Sequence, residues 1–135
     1  MAVKMSVAVR NARLDAIETA IGASAVLKIR SGAPPTNIAD ADSGDVLATI
    51  ALGSDWMAAA SSGSKAKSGT WSDTSADATG TAGHWRIYAS DGTTQHIQGT
   101  VTATGGGGDM TLDNTSIAAA QVVTITGFTL TDGNA

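Results

Sequence analysis

The stretch GHWRIYASDGTTQHIQGTVTA at residues 83–103 decides the fold, because apolar and polar residues alternate along both of its halves. Alternation with a period of two is typical of a β-strand with one buried face. The Asp-Gly pair between the halves favours a tight turn, so the stretch should form a β-hairpin. A three-residue loop with Gly92 in the left-handed conformation would pair Trp85 with Ile97 and place the apolar residues on one face. We predict this register.

The same alternation predicts further strands on both sides of the hairpin. They cover residues 25–30, 45–52, 56–60, a segment ending at Trp71, 110–112 and 121–131. In the last strand the apolar positions change from odd to even numbers after Gly127, which predicts a β-bulge there. The predicted fold class is therefore mainly β: an antiparallel, jelly-roll-like β-sandwich of about eight short strands, preceded by one N-terminal amphipathic α-helix.

Residues 1–22 are predicted to form an N-terminal helical arm, and residues 23–135 the β-sandwich domain. Leu14, Ile17 and Ile21 recur at helical spacing and give the arm one apolar stripe. Two interpretations of the stripe are open at this point. It packs on the sheet of its own chain, or it packs against a neighbouring subunit.

The ends of the helix are marked by residues that bond to free backbone groups. Asn11 is the predicted N-cap of a helix over residues 12–21, and Ser6 is a competing N-cap for a longer helix. Gly22 is predicted to end the helix, because glycine adopts the left-handed conformation without steric cost.

The charges are distributed unevenly along the chain. Five of the eight Lys and Arg residues lie in the first 30 positions, although the net charge of the whole chain is −4. An acidic body argues against a nucleic-acid partner, and the basic arm is too small to reverse this expectation. No apolar run is long enough to span a membrane, and polar residues interrupt any secretory signal.

The composition also predicts a thin hydrophobic core. The chain has no Cys, and 25 of its 135 residues are Ala, so much of its apolar content is small. Burial stabilises by roughly 25 cal/mol per Å² of apolar surface, and small side chains therefore contribute little. We expect the stability to depend on oligomerisation or on a host surface.

Candidate chemical motifs all have simpler interpretations. The S-x-x-K pattern at residues 64–67 lacks its partner motifs and is expected to be a solvated turn. His84 and His96 should lie on the polar face of the hairpin, with His96 opposite Arg86. The acidic run at residues 40–45 lacks the order of a calcium loop. We therefore expect no catalytic residue, no cofactor and no metal site.

Several segments, taken in order, resemble a group of small virion proteins of tailed bacteriophages. The segments are RNARLDAI at 10–17, GASAVLKI at 22–29, SGAPP at 31–35, ADATGTA at 76–82 and LDNTSI at 112–117. The size and fold are also similar to those of the jelly-roll cement proteins that decorate phage heads. This resemblance implies a protein without enzymatic activity, made in the host bacterial cytoplasm and placed on the capsid exterior.

The resemblance also implies partners. They are the major capsid protein and further copies of the same chain, as a dimer or trimer. The residues predicted to contribute to the partner interface are those of the arm: Arg10, Arg13, Leu14, Ile17 and Ile21.

Two other functions stay open. One is a tail, neck or fibre position in the virion. The other is a carbohydrate-binding β-sandwich module that uses exposed Trp side chains, although three Trp in so thin a domain are more often part of the core.

Overall fold

The computed structural model describes residues 3–133, which form one helix and nine strands. Helix α1 spans Val7–Ile21. The strands are β1 Val26–Ser31, β2 Val46–Ala51, β3 Ser64–Ala66, β4 Ser72–Asp73, β5 Gly80–Tyr88, β6 Gln95–Ala103, β7 Met110–Leu112, β8 Ser116–Ile117 and β9 Val123–Thr131. The predicted fold class, mainly β with one N-terminal helix, is confirmed.

The strands form one mixed, curled sheet that is broadly a β-sandwich or half-barrel. The strand order is β2-β1-β5-β6-β7-β9-β3, with β4 paired to β9 and β8 paired to β5. The curl wraps the sheet around an aromatic row at the centre of the core. Ring centroids lie 6.0 Å apart for Trp56 and Trp71, 5.6 Å for Trp71 and Phe128, and 5.0 Å for Trp85 and Phe128. Large rings thus supply much of the apolar contact that the many alanines cannot.

The pairing of β6 with β7 is parallel and departs from the predicted antiparallel pattern. The short link between these strands is rich in glycine, and it doubles back along β6. Gly105 and Gly107 have positive φ angles of 85° and 82°. A Cβ atom on Gly106 would lie 2.7 Å from Cβ of Thr102, so only glycine fits this close approach. Four successive glycines therefore permit a parallel neighbour without the usual long crossover.

The central hairpin has the predicted face but not the predicted register. Trp85 lies opposite Gly99 rather than Ile97. The loop is wider than expected because the Asp91 carboxylate accepts hydrogen bonds from the backbone N–H groups of the next two threonines. The shift equals two residues, and a shift of two keeps every side chain on its face. The apolar face therefore forms as predicted, and Gly92 has the expected positive φ of 71°.

The bulge in β9 is confirmed. Thr111 lies opposite Gly127 while Leu112 lies opposite Ile125, so one extra residue is accommodated in β9. Ile125 and Phe128 are consequently both buried, although their positions differ in parity.

Helix α1 begins at Val7, five residues earlier than the first prediction. The Ser6 hydroxyl accepts the backbone N–H of Val9, so Ser6 is the N-cap and the Asn11 prediction is wrong. Asn11 instead uses its side-chain oxygen to accept the N–H of Gly63 at 2.9 Å, which ties the helix to the β-body. Gly22 ends the helix as predicted, with φ 93° and its N–H donated to the Glu18 carbonyl.

We predict that Leu14→Ala destabilises the protein by about 2–5 kcal/mol, because this side chain is 3% exposed and its loss leaves a cavity. Val9→Ala on the same helix is the matched control. Val9 is 48% exposed, and its substitution should change the free energy of unfolding by about 0.5 kcal/mol or less. Urea unfolding of both variants measures the difference. Equal effects would contradict packing of the helix on its own sheet.

Candidate partner interface

The apolar stripe of helix α1 packs on the β-body of its own chain. Leu14 and Ile21 are buried, and Ile17 is partly buried against the core. These three residues of the predicted interface are thus already used for intramolecular packing. Of the two interpretations left open by the sequence, the structure shows the first for this part of the stripe.

The two arginines of the predicted interface both reach Asp132, at the end of β9. Arg10 Nη1 donates to the Asp132 carbonyl at 3.0 Å, and Arg13 Nε lies 3.2 Å from the Asp132 carboxylate. The Arg13 side chain is 57% exposed, so its charge still faces solvent. An ion pair this exposed stabilises by at most about 1 kcal/mol. Arg13 Nη1 also donates to the Met5 sulfur at 3.2 Å, in an exposed contact. Arg13 can therefore exchange such contacts for those of a binding partner at little cost.

A buried lysine fixes the middle of the helix. Lys65 of β3 is 3% exposed, and its ammonium lies 2.7 Å from Asp15 Oδ1 and 3.0 Å from Glu18 Oε2. Burial alone would lower the pKa of Lys65, but hydrogen bonds to the two carboxylates outweigh it and raise that pKa. The hydrogen bond from Lys65 lowers the pKa of Asp15. The cation therefore holds two successive turns of α1 against β3.

The expectation that the S-x-x-K pattern at residues 64–67 forms a solvated turn is wrong. This segment is not a solvated turn: Ser64–Ala66 is strand β3, paired with β9. Lys67 donates to the Gly69 carbonyl at 2.9 Å, which is a local structural contact.

The beginning of the helix extends past the β-body. Within residues 3–133, the exposed large apolar side chains are Val3, Val7, Val9 and Val122, and three of these four precede Arg10. Val7 lies two heptads before Ile21 and one before Leu14, so it continues the same stripe. Leu14 is 3% exposed whereas Val7 is 45% exposed, because no part of the described chain covers Val7.

We define the helix-start surface as Val7, Val9 and Arg13. Val7 lies on the stripe, whereas Val9 and Arg13, four residues apart, project from the opposite side of the helix. The surface thus places an exposed apolar side chain on each side of the first helical turns, with one exposed cation, on an otherwise acidic protein. The prediction that the helix begins after Asn11 left Val7 and Val9 outside it, so neither was among the predicted interface residues. The competing N-cap Ser6 was the signal that could have found them.

The polar face of β5 is buried, which the sequence did not predict. Residues 32–44 cross this face and cover Arg86, which is 0% exposed. Asp42 in this loop lies 2.8 Å from Arg86 Nη1 and 2.8 Å from Arg30 Nη2. The Tyr88 hydroxyl donates to Asp42 Oδ1 at 2.7 Å. One carboxylate thus joins two buried guanidinium groups and a phenol, and holds the loop on the sheet.

The pKa of Asp42 lies below its usual range. Burial acts to raise it, but the hydrogen bonds from Tyr88 and Arg86 and the positive charge of Arg30 prevail. Asp42 therefore stays ionised at neutral pH. Asp42, within the acidic run at residues 40–45, therefore acts as a clamp that binds Arg30 and Arg86.

The two histidines differ in environment. His84 is buried, and its Nδ1 atom donates to the Gly32 carbonyl at 2.8 Å, whereas His96 is exposed. His96 does not lie opposite Arg86 as predicted; Gln98 does, and its side-chain oxygen accepts from Arg86 Nε. Burial lowers the pKa of His84, and the nearby arginines lower it further. His84 is therefore neutral at neutral pH, and its hydrogen bond to the Gly32 carbonyl holds the beginning of the loop on β5.

Within the described residues, no cluster of three or more His, Asp or Glu side chains could hold a metal ion. The same part of the chain contains no helix with the length and apolar character required to cross a membrane. Comparison of the chain with family models, with curated proteins and with solved structures finds no match.

We predict that Asp42→Asn destabilises the protein far more than Asp45→Asn in the same loop. Removing one partner of a buried ion pair costs roughly 3–5 kcal/mol. Since the Asp42 side chain is 37% exposed, water can partly replace it, and we expect the lower end of this range. Asp45 is exposed, and its variant is the matched control. Chemical denaturation measures both, and a loss below about 1 kcal/mol for Asp42→Asn would contradict the clamp.

We predict that stability falls as the pH drops below about 6.5, the usual pKa of histidine. The unfolded chain binds a proton at His84 in this range while the folded chain does not, so protonation favours unfolding. The loss should steepen below about pH 4, where Asp42 is protonated first in the unfolded chain. His84→Asn keeps a donor for the Gly32 carbonyl and should flatten the dependence between about pH 5 and 6.5, as measured by the pH profile of urea unfolding. An unchanged slope would show that His84 is not its source.

Proposed function

We propose that this chain is a non-enzymatic structural protein of a tailed-phage virion. Its most specific assignment is a head decoration protein that binds the major capsid protein on the capsid exterior and stabilises the shell. The observation that carries the proposal is the helix-start surface, where an apolar stripe continues beyond the body that covers the rest of it. The ordered resemblance of five sequence segments to small virion proteins supports the same assignment.

The size of the helix-start surface suits a partner that is present in many copies. Two valines and one arginine bury little area, so a single contact would be weak. A shell offers a regular array of identical sites, and an oligomer of this protein would bind several of them at once. Linked contacts of this kind raise the overall affinity roughly 10²- to 10⁴-fold over a single one.

The two buried ion clusters favour a structural role over a catalytic one, because both hold segments of the chain in place. Lys65 ties the helix to the sheet, and Asp42 ties the longest loop to the opposite face. The Lys65 cluster restricts motion of the helix that carries the proposed contact, and the Asp42 cluster makes the loop on the opposite face rigid. A rigid body loses less conformational entropy when it binds, which favours a stable bridge across capsid subunits.

The alternative virion position, in a tail, neck or fibre, would use the same surface. Stoichiometry distinguishes the two, because a decoration protein should be present in hundreds of copies and a tail component in far fewer. The carbohydrate-binding alternative depended on exposed tryptophans. Trp56, Trp71 and Trp85 are 0%, 2% and 3% exposed, so none offers a free ring to a sugar.

We predict that Val7→Asp combined with Val9→Asp weakens binding to phage heads that lack this protein roughly hundredfold. Burial of each valine contributes about 1.5 kcal/mol, which is close to a tenfold change in affinity. Aspartate in the first helical turn is compatible with the helix dipole, so the variant should fold. Co-sedimentation with purified heads measures binding, and densitometry of the bound protein gives the copy number.

Val122→Asp is the control, because Val122 is 54% exposed but lies far along the chain, next to β9. Its binding should equal that of the unmodified protein. Full occupancy by the double variant would refute the helix-start surface as the capsid contact. Point variants are preferable to removal of the arm, since removal would also take Leu14 and Ile21 out of the core.

A further inference from the structure

A groove separates strands β6 and β9 beyond the end of β7. β6 pairs with β5, and within the described chain its other edge meets only β7, at Val101–Ala103. β9 pairs with β3 over Thr129–Thr131, on the side away from the groove. The space between the two strands measures about 340 Å³. It continues the line of β7, which lies between β6 and β9 where all three strands meet.

The backbone of both strands presents hydrogen-bonding groups to this groove. The Thr100 N–H bonds the Asp109 carboxylate at the end of the groove, so it points away from β5. Because these directions alternate along a strand, the N–H and C=O of Gln98 point the same way. On β9, the Phe128 carbonyl accepts from Lys67 on the β3 side, which turns the backbone groups of Thr129 towards the groove.

The width of the groove corresponds to one strand. Neighbouring strands lie about 4.8 Å apart, so two strands that flank a third are separated by about 9.6 Å. β6 and β9 are such a flanking pair, because β7 is the strand between them. The apolar side chains that line the groove are Trp85, Ile97, Phe128 and Leu130. Trp85 and Phe128 are already buried, so an added strand with alternating apolar residues would mainly cover Ile97 and Leu130, which are only partly buried.

The two outer edges of the sheet are protected, in contrast to this inner one. The outer edge of β2 is capped by Asp73, which accepts the Thr49 N–H, and by the N–H of Asp77, which donates to the Leu47 carbonyl. The outer edge of β3 is covered by the chain at residues 57–61. Proteins generally cover free edges in this way to avoid unwanted pairing. An edge left open therefore indicates a partner strand.

We propose that the groove between β6 and β9 binds the N-terminal segment of a second copy of this chain as an added strand. Residues 1–6, MAVKMS, alternate between apolar Met and Val at odd positions and small or charged residues at even ones. This is the pattern that the apolar groove requires. Val3 is 78% exposed, so it is accessible to a neighbouring molecule.

Charge complementarity supports the same occupant. Asp109 is the ionisable residue that lines the groove, and Lys4 lies among the small even-numbered residues of the segment. An antiparallel or parallel insertion that places Val3 and Met5 on the apolar side chains brings Lys4 to the opposite face, towards the rim. The segment is joined to the helix at Ser6, so the inserted strand would also bring the helix of one copy to the β9 edge of the next.

The contact is heterologous, since the arm of one copy enters the groove of another. Such contacts form closed rings or open chains according to the rotation between copies. A ring of three would give a trimer, one of the two oligomeric states, dimer or trimer, that the resemblance implies. Self-association uses residues 1–6, whereas the proposed capsid contact uses Val7, Val9 and Arg13. Arg13 Nη1 donates to the Met5 sulfur at 3.2 Å, so insertion of the segment into a second copy would release this contact. The mass in solution reports on self-association and co-sedimentation with heads on the capsid contact, so failure of one proposal is distinguishable from failure of the other.

Disulfide trapping tests the proposal cleanly, because the chain has no Cys of its own. One preparation carries Lys4→Cys, the other Asp109→Cys, and the two are mixed under mild oxidation. We expect a mixed disulfide dimer at least tenfold in excess over a control mixture of Lys4→Cys with Asp45→Cys. A double variant carrying both cysteines should give intermolecular products. An intramolecular disulfide in that variant, or a yield equal to the control, would overturn the proposal.

Light scattering after size exclusion supplies a second measurement without introduced cysteines. The unmodified chain should elute as a dimer, trimer or larger species, and deletion of residues 2–5 should convert it to a folded monomer. This deletion keeps the N-cap Ser6 and all the buried helix residues, so circular dichroism should be unchanged. A monomeric unmodified chain, or a shortened chain that keeps the same mass in solution, would refute the exchange of strands.

Discussion

Within residues 3–133, three buried cations must each meet a carboxylate, and the arrangement of the molecule depends on this requirement. Lys65, Arg30 and Arg86 are 3%, 7% and 0% exposed. An unpaired charge in such positions would cost several kcal/mol, which is a large part of the stability of a small domain. Lys65 is satisfied only if helix α1 lies on β3, and the two arginines only if residues 32–44 lie on β1 and β5. The helix and the longest loop are therefore placed by electrostatics as much as by apolar burial.

Two surfaces that these ion clusters leave exposed, the start of the helix and the groove between β6 and β9, are the basis for the functional proposals. The helix is anchored by Leu14, Lys65 and Ile21, so its first turn extends beyond the body with Val7 and Val9 exposed. On the sheet, the short strand β7 holds β6 and β9 together at one end and leaves them apart at the other. Both features lie at the arm or beside the strand that the arm contacts. A protein that decorates a shell needs one surface for the shell and one for its neighbours, and these two surfaces suit such a division.

Local patterns along the chain were sufficient to predict most of the elements. The alternation in β5 and β6, the parity change at Gly127 and the stop at Gly22 all hold in the structure. Each is set by residues near one another in sequence. The hairpin register was wrong because the Asp91 side chain builds a wider loop than the Asp-Gly pair alone suggests. The N-cap was wrong because Asn11 bonds to Gly63, a residue 52 positions away.

The sequence by itself determined the mainly β class, the N-terminal helix and the parity of the buried faces. These follow from periodicity, which each segment carries alone. Only the tertiary structure decided that the polar face of β5 is buried, that Asp42 pairs with Arg30 and Arg86, and that the helix packs on its own sheet. A polar face looks the same in sequence whether water or a loop covers it. The difference lies in contacts between distant segments, and these depend on how the whole chain closes around its charges.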